Sequence, residues 1–367
     1  MNGLRQKLDD IQKKAIERTV KTQTIEYDLE TMVKKIERNI IKLNPDYQRR
    51  HRWSEQTSSR LIESLILNIP VPFIYISQDI DVDEEVDDEV ARYSVIDGQQ
   101  RLTAIYNFFK SKFELEGLEV LTDLNGSKYN TLPPFLIRRL EERTIRCLRI
   151  DSTLDGQVKY DIFERLNSGS VKLEPQELRN ATCRGPFKDL VKKLAKNQHF
   201  ASLCQLDPDG KRVQKMEDEE LIVRFFALTH KDGYKDYKGA FKSFLTEKMI
   251  AFNKLEKTEL LEMEDVFLKS FKFINNSGDE FPFSKYKASV VELTGEIILE
   301  RMSKFNAAVY DSLIVSSKYA MEKQDSLDIK NFRELFKDTE FFSSVEGSVN
   351  DVSKLNIRIQ KAILVLC

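Results

Sequence analysis

Cysteine is too scarce and too scattered in this chain to build a scaffold. The four cysteines, Cys147, Cys183, Cys204 and Cys367, form no CxxC pair. That excludes a disulfide framework and a structural zinc site, and fits a reducing cytosol. Histidine is scarcer still. His51, His199 and His230 are the only three, and none is spaced with another as metal ligands are. No run of about 18 apolar residues suits a membrane span, and the first residues carry no apolar signal-peptide core. The expectation is a cytoplasmic protein with no membrane association. A large charge of either sign is also missing. The net charge is −2 over 367 residues, so any attraction to nucleic acid has to come from a local patch. Core-forming material is plentiful: 41% of residues are hydrophobic and 10% aromatic, enough for two domains.

The densest chemistry lies in Val95-Ile96-Asp97-Gly98-Gln99-Gln100-Arg101-Leu102. An apolar, β-branched run from Tyr93 to Ile96 stops at Asp97-Gly98. Leu102, Ile105, Tyr106 and Phe109 then recur at helical spacing. The pattern predicts a strand, a tight glycine turn and a helix. A carboxylate, two amides and a guanidinium fall at the helix N-terminus, where unpaired backbone N–H groups and the dipole favour an anion. Arg101 has a planar fork suited to phosphate oxygens. Gln99 and Gln100 both donate and accept, and Asp97 suits a metal ion or a water. These residues point to a phosphate or nucleotide site. They are equally satisfied by an Asp97 that only caps the helix and an Arg101 that is a surface charge.

Around this stretch the chain reads as alternating short elements. Leu4, Leu8, Ile11 and Ala15 make a narrow helical seam, too short for a coiled coil by itself. Extended residues 25–27, a helix through Leu29, Met32, Val33 and Ile36, and a strand at 40–43 follow. Tyr47, Gln48, Arg49 and Trp53 lie in a cationic loop before a helix that Ser54 is placed to cap. Trp53 is expected to staple onto that helix. Residues 79–89 carry eight acidic side chains without the glycine of a calcium loop, and read as a solvated connection between strands 73–77 and 91–96. Phe113-Glu114-Leu115 and the Asn125-Gly126 turn suggest a small hairpin. A helix from Pro133-Pro134, a strand at 144–150 and a helix at 156–166 come next. Arg165 and Asn167-Ser168-Gly169 end that helix, where a plain C-cap would also account for them. Beyond about Gly185 the stripes are helical: Leu221, Ile222, Phe225, Phe226; then Phe241 to Phe252; then Val290, Val291, Leu293, Ile297, Ile298. All three read as core. The apolar residues 357–367 predict a final segment that is docked or at an interface.

Three patches now line up in order: Pro45-Asp46-Tyr47-Gln48-Arg49 with Trp53; Asp97-Gly98-Gln99-Gln100-Arg101-Leu102; and Phe163-Glu164-Arg165-Leu166-Asn167-Ser168-Gly169 with Leu173 and Glu177-Leu178. Together they resemble the N-terminal domain of GmrSD-type restriction endonucleases, over about residues 25 to 185. The resemblance implies a ParB-like, sulfiredoxin-like fold. It also implies nucleotide binding and hydrolysis by the DGQQR domain, coupled to cleavage of foreign or modified DNA in anti-phage defence. By position, Asp97, Gln99, Gln100 and Arg101 would be catalytic. Tyr47, Gln48, Arg49, Gly98, Arg165, Asn167, Ser168 and Gly169 would bind nucleotide, and Asp97 would hold Mg²⁺. Two departures stand out. Ser170 replaces the second of two glycines usual in the family, and no His-centred ββα-metal (HNH) pattern is seen.

The sequence therefore predicts an α+β protein. A helix in residues 1–24 precedes a ParB-like nucleotide-binding domain at 25–185, a small mixed sheet with helices. An α-helical domain at 186–367 follows. The expected function is NTP binding and hydrolysis with Mg²⁺, as the sensor or regulatory half of a restriction-type defence system. A separate nuclease chain or a second copy would be its partner. The alternatives are a DNA-binding or DNA-nicking module using Arg49, Arg50, Arg52, Arg138, Arg139, Arg143 and Arg146, and a non-enzymatic interaction protein.

Overall fold

Strand β1 (Thr22–Asp28) ends where the Asp28 carboxylate accepts the Thr31 N–H at 2.6 Å and so caps helix α1 (Leu29–Glu37). After the short strand β2 (Ile41–Lys42), Ser54 caps helix α2 (Glu55–Ile66) in the same way, its hydroxyl accepting the Thr57 N–H at 3.1 Å. Strands β3 (Ile74–Gln78) and β4 (Tyr93–Asp97) lead into helix α3 (Gln99–Phe109). Helix α4 (Pro134–Glu141), strand β5 (Thr144–Ile150) and helix α5 (Gly156–Leu166) complete this part. The computed structural model describes residues 21–43, 53–78, 92–150, 156–166, 174–291 and 295–367. The expected N-terminal helix and the acidic stretch 79–89 lie outside them.

The chain forms two units, Met1–Leu173 and Glu174–Cys367. In the first, five strands make a mixed sheet in the order β1-β5-β3-β4-β2. β1 with β5 and β3 with β4 are antiparallel; β3 with β5 and β2 with β4 are parallel. Alternation sends Ile74, Ile76, Val95, Ile145 and Cys147 to one face, into a core with Leu29, Met32, Ile62, Leu65, Leu102, Ile105, Phe108 and Leu140 of helices α1 to α4. Burial pushes the Cys147 thiol up to about 12, so it behaves as a small apolar residue.

The hairpin expected near Phe113 is not formed. Leu115 alone bonds across, giving its N–H to Ser127 O and taking that of Gly126. The segment between Leu115 and the Asn125-Gly126 turn is held by side chains of α2. Buried Glu63 on α2 accepts the N–H groups of Glu119, Val120 and Leu121 at 3.3, 2.9 and 2.8 Å. Ser59 accepts that of Glu116 at 3.0 Å.

The second unit is mainly helical. Its helices include α6 (Pro175–Thr182), α7 (Glu217–Thr229), α8 (Ala307–Ala320) and α9 (Val352–Leu366). The stripes at 221–226 and 241–252 are core, and so are Leu355, Ile359, Ala362 and Leu366 of the docked last helix. The third stripe is corrected. Its residues form the antiparallel hairpin β6 (Lys285–Val290) and β7 (Ile297–Ser303), with Val290 opposite Ile297. Val290 is 64% exposed and Ile297 49%, so they are not core. β-Branched side chains suit a strand, and Gly295 at φ +69° reverses the chain. Leu293 lies outside the described residues.

Ion pairs are buried in this core. Asp311 on α8 is fully buried between Arg224 of α7 and Arg358 of α9, at 2.6 and 2.7 Å. Arg358 also donates to the carbonyls of Ser344 and Val349, so the charge ties the 344–349 segment to the helices. Removing one partner of such a group strands the other charges in low dielectric. Asp311→Ala is therefore expected to lower stability by about 3–5 kcal/mol in urea denaturation. A loss below about 1 kcal/mol, the size of a surface pair, would refute the assignment.

Glu63 makes a pH-dependent prediction. Burial raises its carboxyl, but the three backbone amides outweigh burial and hold it below its ordinary value. Its contribution is therefore complete above the ordinary glutamate value and is lost as pH falls through the lowered one. Glu63→Gln is expected to cost about 1–3 kcal/mol at pH 7. The gap from the unmodified protein should narrow on acidification, as denaturation at a series of pH values would measure; a pH-independent gap would contradict it.

Candidate functional site

Strand β4 delivers Asp97 to the point where the chain turns into α3. Gly98 makes the turn with φ +91°, a conformation that costs an L side chain dearly. Space forbids a side chain as well. A Cβ there would lie 2.3 Å from Ile74 Cδ1 and 3.1 Å from Arg101 Nη2. Gly98, not Asp97, is the N-cap of α3, and it offers no side chain to the first-turn amides. The simple reading of Asp97 as a helix cap is thereby excluded.

Asp97 is engaged elsewhere. Its Oδ2 accepts from Arg101 Nη2 at 2.8 Å, while Arg101 Nη1 donates to the Pro72 carbonyl. The Arg101 side chain is only 12% exposed, so it is no surface charge. Burial pushes its guanidinium below the ordinary value, against the opposing charge and hydrogen bond of Asp97. It stays protonated at physiological pH all the same. Gln99 is buried at the first helical position. Gln100 Oε1 accepts the Trp53 N–H at 3.2 Å. Trp53 itself packs on the core of the first unit just ahead of Ser54 and α2.

The structure thus joins Asp97, Gly98, Gln99, Gln100 and Arg101 in one turn and links that turn to Trp53 and Pro72. Tyr47, Gln48, Arg49, Asn167, Ser168 and Gly169 lie outside the described residues. Arg165 stands exposed in the last turn of α5. Trp53 N–H, Pro72 O and Ile74 are partners that sequence reasoning missed. No local pattern pairs position 100 with 53 or 101 with 72. Among the described residues no group of three His, Cys, Asp or Glu side chains comes together as a metal site.

Of the arginines proposed for DNA, two among the described residues have partners within the fold. Arg143 donates to Leu65 O at 3.0 Å and to Asn68. Arg146 pairs with Glu26 at 3.2 Å and lies 6.0 Å over the Phe73 ring. Arg138 and Arg139 are exposed in the last turn of α4, and Arg49, Arg50 and Arg52 lie outside the described residues.

A mixed α+β domain with a glycine turn leading into a helix, flanked by amides and a guanidinium, now has a class. Residues 29–183 match the family described as GmrSD restriction endonuclease, N-terminal domain. That segment is a GmrSD-type N-terminal domain. The match spans less than half of the chain and ends at Cys183, at the C-cap of α6. No curated protein matches the chain. Among the described residues no helix is long and apolar enough to cross a membrane.

The turn yields its own test. Gly98→Ala should destabilise the protein by at least about 1–2 kcal/mol, the cost of a left-handed L residue, with the overlap against Ile74 added. Adding Ile74→Val removes the Cδ1 that is struck, and should recover part of the loss beyond the cost of Ile74→Val alone. Denaturation of the two single variants and the pair measures the coupling. Strict additivity would refute the contact.

Proposed function

We propose that the GmrSD N-terminal domain of this chain binds a nucleoside triphosphate at the β4–α3 turn and hydrolyses it, and that turnover regulates a restriction-type response through a nuclease partner. The observation that carries this reading is the turn itself. A helix N-terminus with no side-chain cap from Gly98 stands beside a partly buried guanidinium. Such an end favours phosphate through its amides and its dipole. Arginine has five N–H donors, and Asp97 and Pro72 take one each. The others are available in kind to phosphate oxygens, where they would spread transition-state charge. The Gln99 side-chain amide would orient the attacking water. Tyr47, Gln48, Arg49, Arg165, Asn167, Ser168 and Gly169 are assigned to the nucleotide on the resemblance alone.

The donor set argues against a metal ion held by the protein alone. Among the described residues Asp97 is the only carboxylate that the turn supplies, and its Oδ2 faces a guanidinium. Mg²⁺ tolerates few protein ligands when phosphates provide the rest. It would therefore arrive as part of the Mg–nucleotide substrate, and no step here depends on a resident metal. DNA binding by the arginine set is the weaker reading, because Arg143 already serves contacts within the fold and a net charge of −2 gives no general attraction to nucleic acid.

Phosphate release from each of the four common NTPs with Mg²⁺ tests the proposal, with the unmodified protein beside Asp97→Ala and Arg101→Ala. Both variants should fold and lose at least about a hundredfold in turnover, the scale of a lost charge-stabilising donor. Full activity in Arg101→Ala would remove the site assignment. No release from any nucleotide, with or without DNA, would remove the enzyme.

A further inference from the structure

Two adjacent glutamines stand at the turn, and the structure separates their roles. The Gln100 side-chain oxygen is directed to a backbone donor, the Trp53 N–H, at 3.2 Å and 47 positions away in sequence. Trp53 immediately precedes Ser54, which caps α2, so a single carboxamide connects the N-termini of two helices. A carboxamide presents its acceptor at one end and its donors at the other, so the bond to Trp53 also fixes which way the group faces. We propose that Gln100 is a positioning residue: it ties the β4–α3 turn to the Trp53 peptide and acts on the reaction through that link, without touching the reacting atoms. Resting on the reading of the turn as a triphosphate site, this predicts that occupation of the turn is felt at Trp53.

Trp53 is the only tryptophan of the chain, so its emission reports this one place. The experiment uses the full chain and compares acrylamide quenching of the unmodified protein, Gln100→Glu and Gln100→Leu, first without ligand. Far-UV circular dichroism establishes that each is folded. Glutamate keeps an acceptor for the Trp53 N–H and should quench like the unmodified protein. Leucine has none and should quench more readily. Unchanged quenching in Gln100→Leu would overturn the link, as would a Gln100→Glu protein that quenches like Gln100→Leu.

Inorganic triphosphate and Mg–ATP are then titrated against the unmodified protein and Gln100→Leu. Emission should shift on binding to the unmodified protein. For phosphate release, Gln100→Leu should raise KM by up to about tenfold, the worth of one hydrogen bond, at unchanged kcat. A fall in kcat at unchanged KM would mean that Gln100 touches the reacting water, and would overturn the positioning role. The two readings fail separately. If Gln100→Leu alters quenching but neither triphosphate nor Mg–ATP shifts the emission of the unmodified protein, the tie to Trp53 stands and the nucleotide site falls.

Discussion

Arg101 reaches back four positions to Asp97 at the end of β4 and across to the carbonyl of Pro72, so one guanidinium ties together the segments that shape the turn. Three segments meet there: the end of β4, the start of α3 and the approach to β3. Taking a guanidinium partly out of water is costly, and a carboxylate with a carbonyl offsets that cost only when both are in place. Gly98 is the condition for the arrangement. Any side chain at this position would strike Ile74 and press on the guanidinium. The polar turn is thus built around an empty volume that only glycine leaves.

The second unit handles charge differently. Asp311 is enclosed between Arg224 and Arg358 with no exposure to solvent. Arg179 on α6 is equally buried, bonded to Gln176 at 2.7 Å and to Glu220 of α7. These groups connect helices to one another and to the 344–349 segment. The attraction in such a group largely offsets the cost of taking the charges out of water, so all its partners have to be in place together. At the β4–α3 turn, by contrast, Asp97 keeps 34% of its side-chain exposure, so the group remains within reach of solvent and of a solute.

What could be read from the chain was local. The strand, glycine turn and helix at residues 93–109 follow from β-branched residues, one glycine and a helical repeat, all contained within a few turns of chain. Ser54 as a cap and the helices at 217–229 and 241–252 follow from the same short-range rules. The two errors differ in origin. Val290, Ile297 and Ile298 satisfy a helical spacing, yet Gly295 and pairing across the turn place them in a hairpin. Near Phe113, turn residues suggested a hairpin, but a carboxylate more than fifty positions earlier holds the backbone amides. The first was signalled inside the window by Gly295 and the β-branched residues; the second rests on a partner outside it.

The sequence by itself determined that a carboxylate, two amides and an arginine stand at the start of a helix, because covalent order and backbone preference decide that much. Tertiary structure alone decided what each of them faces. Gln100 meets Trp53 and Arg101 meets Pro72 at sequence separations of 47 and 29. Those pairings come from how α2 and β3 pack against α3 and β4. The reason is physical: a side-chain hydrogen bond needs a partner within about 3 Å, and which distant segment comes that close depends on the packed core rather than on any local sequence pattern.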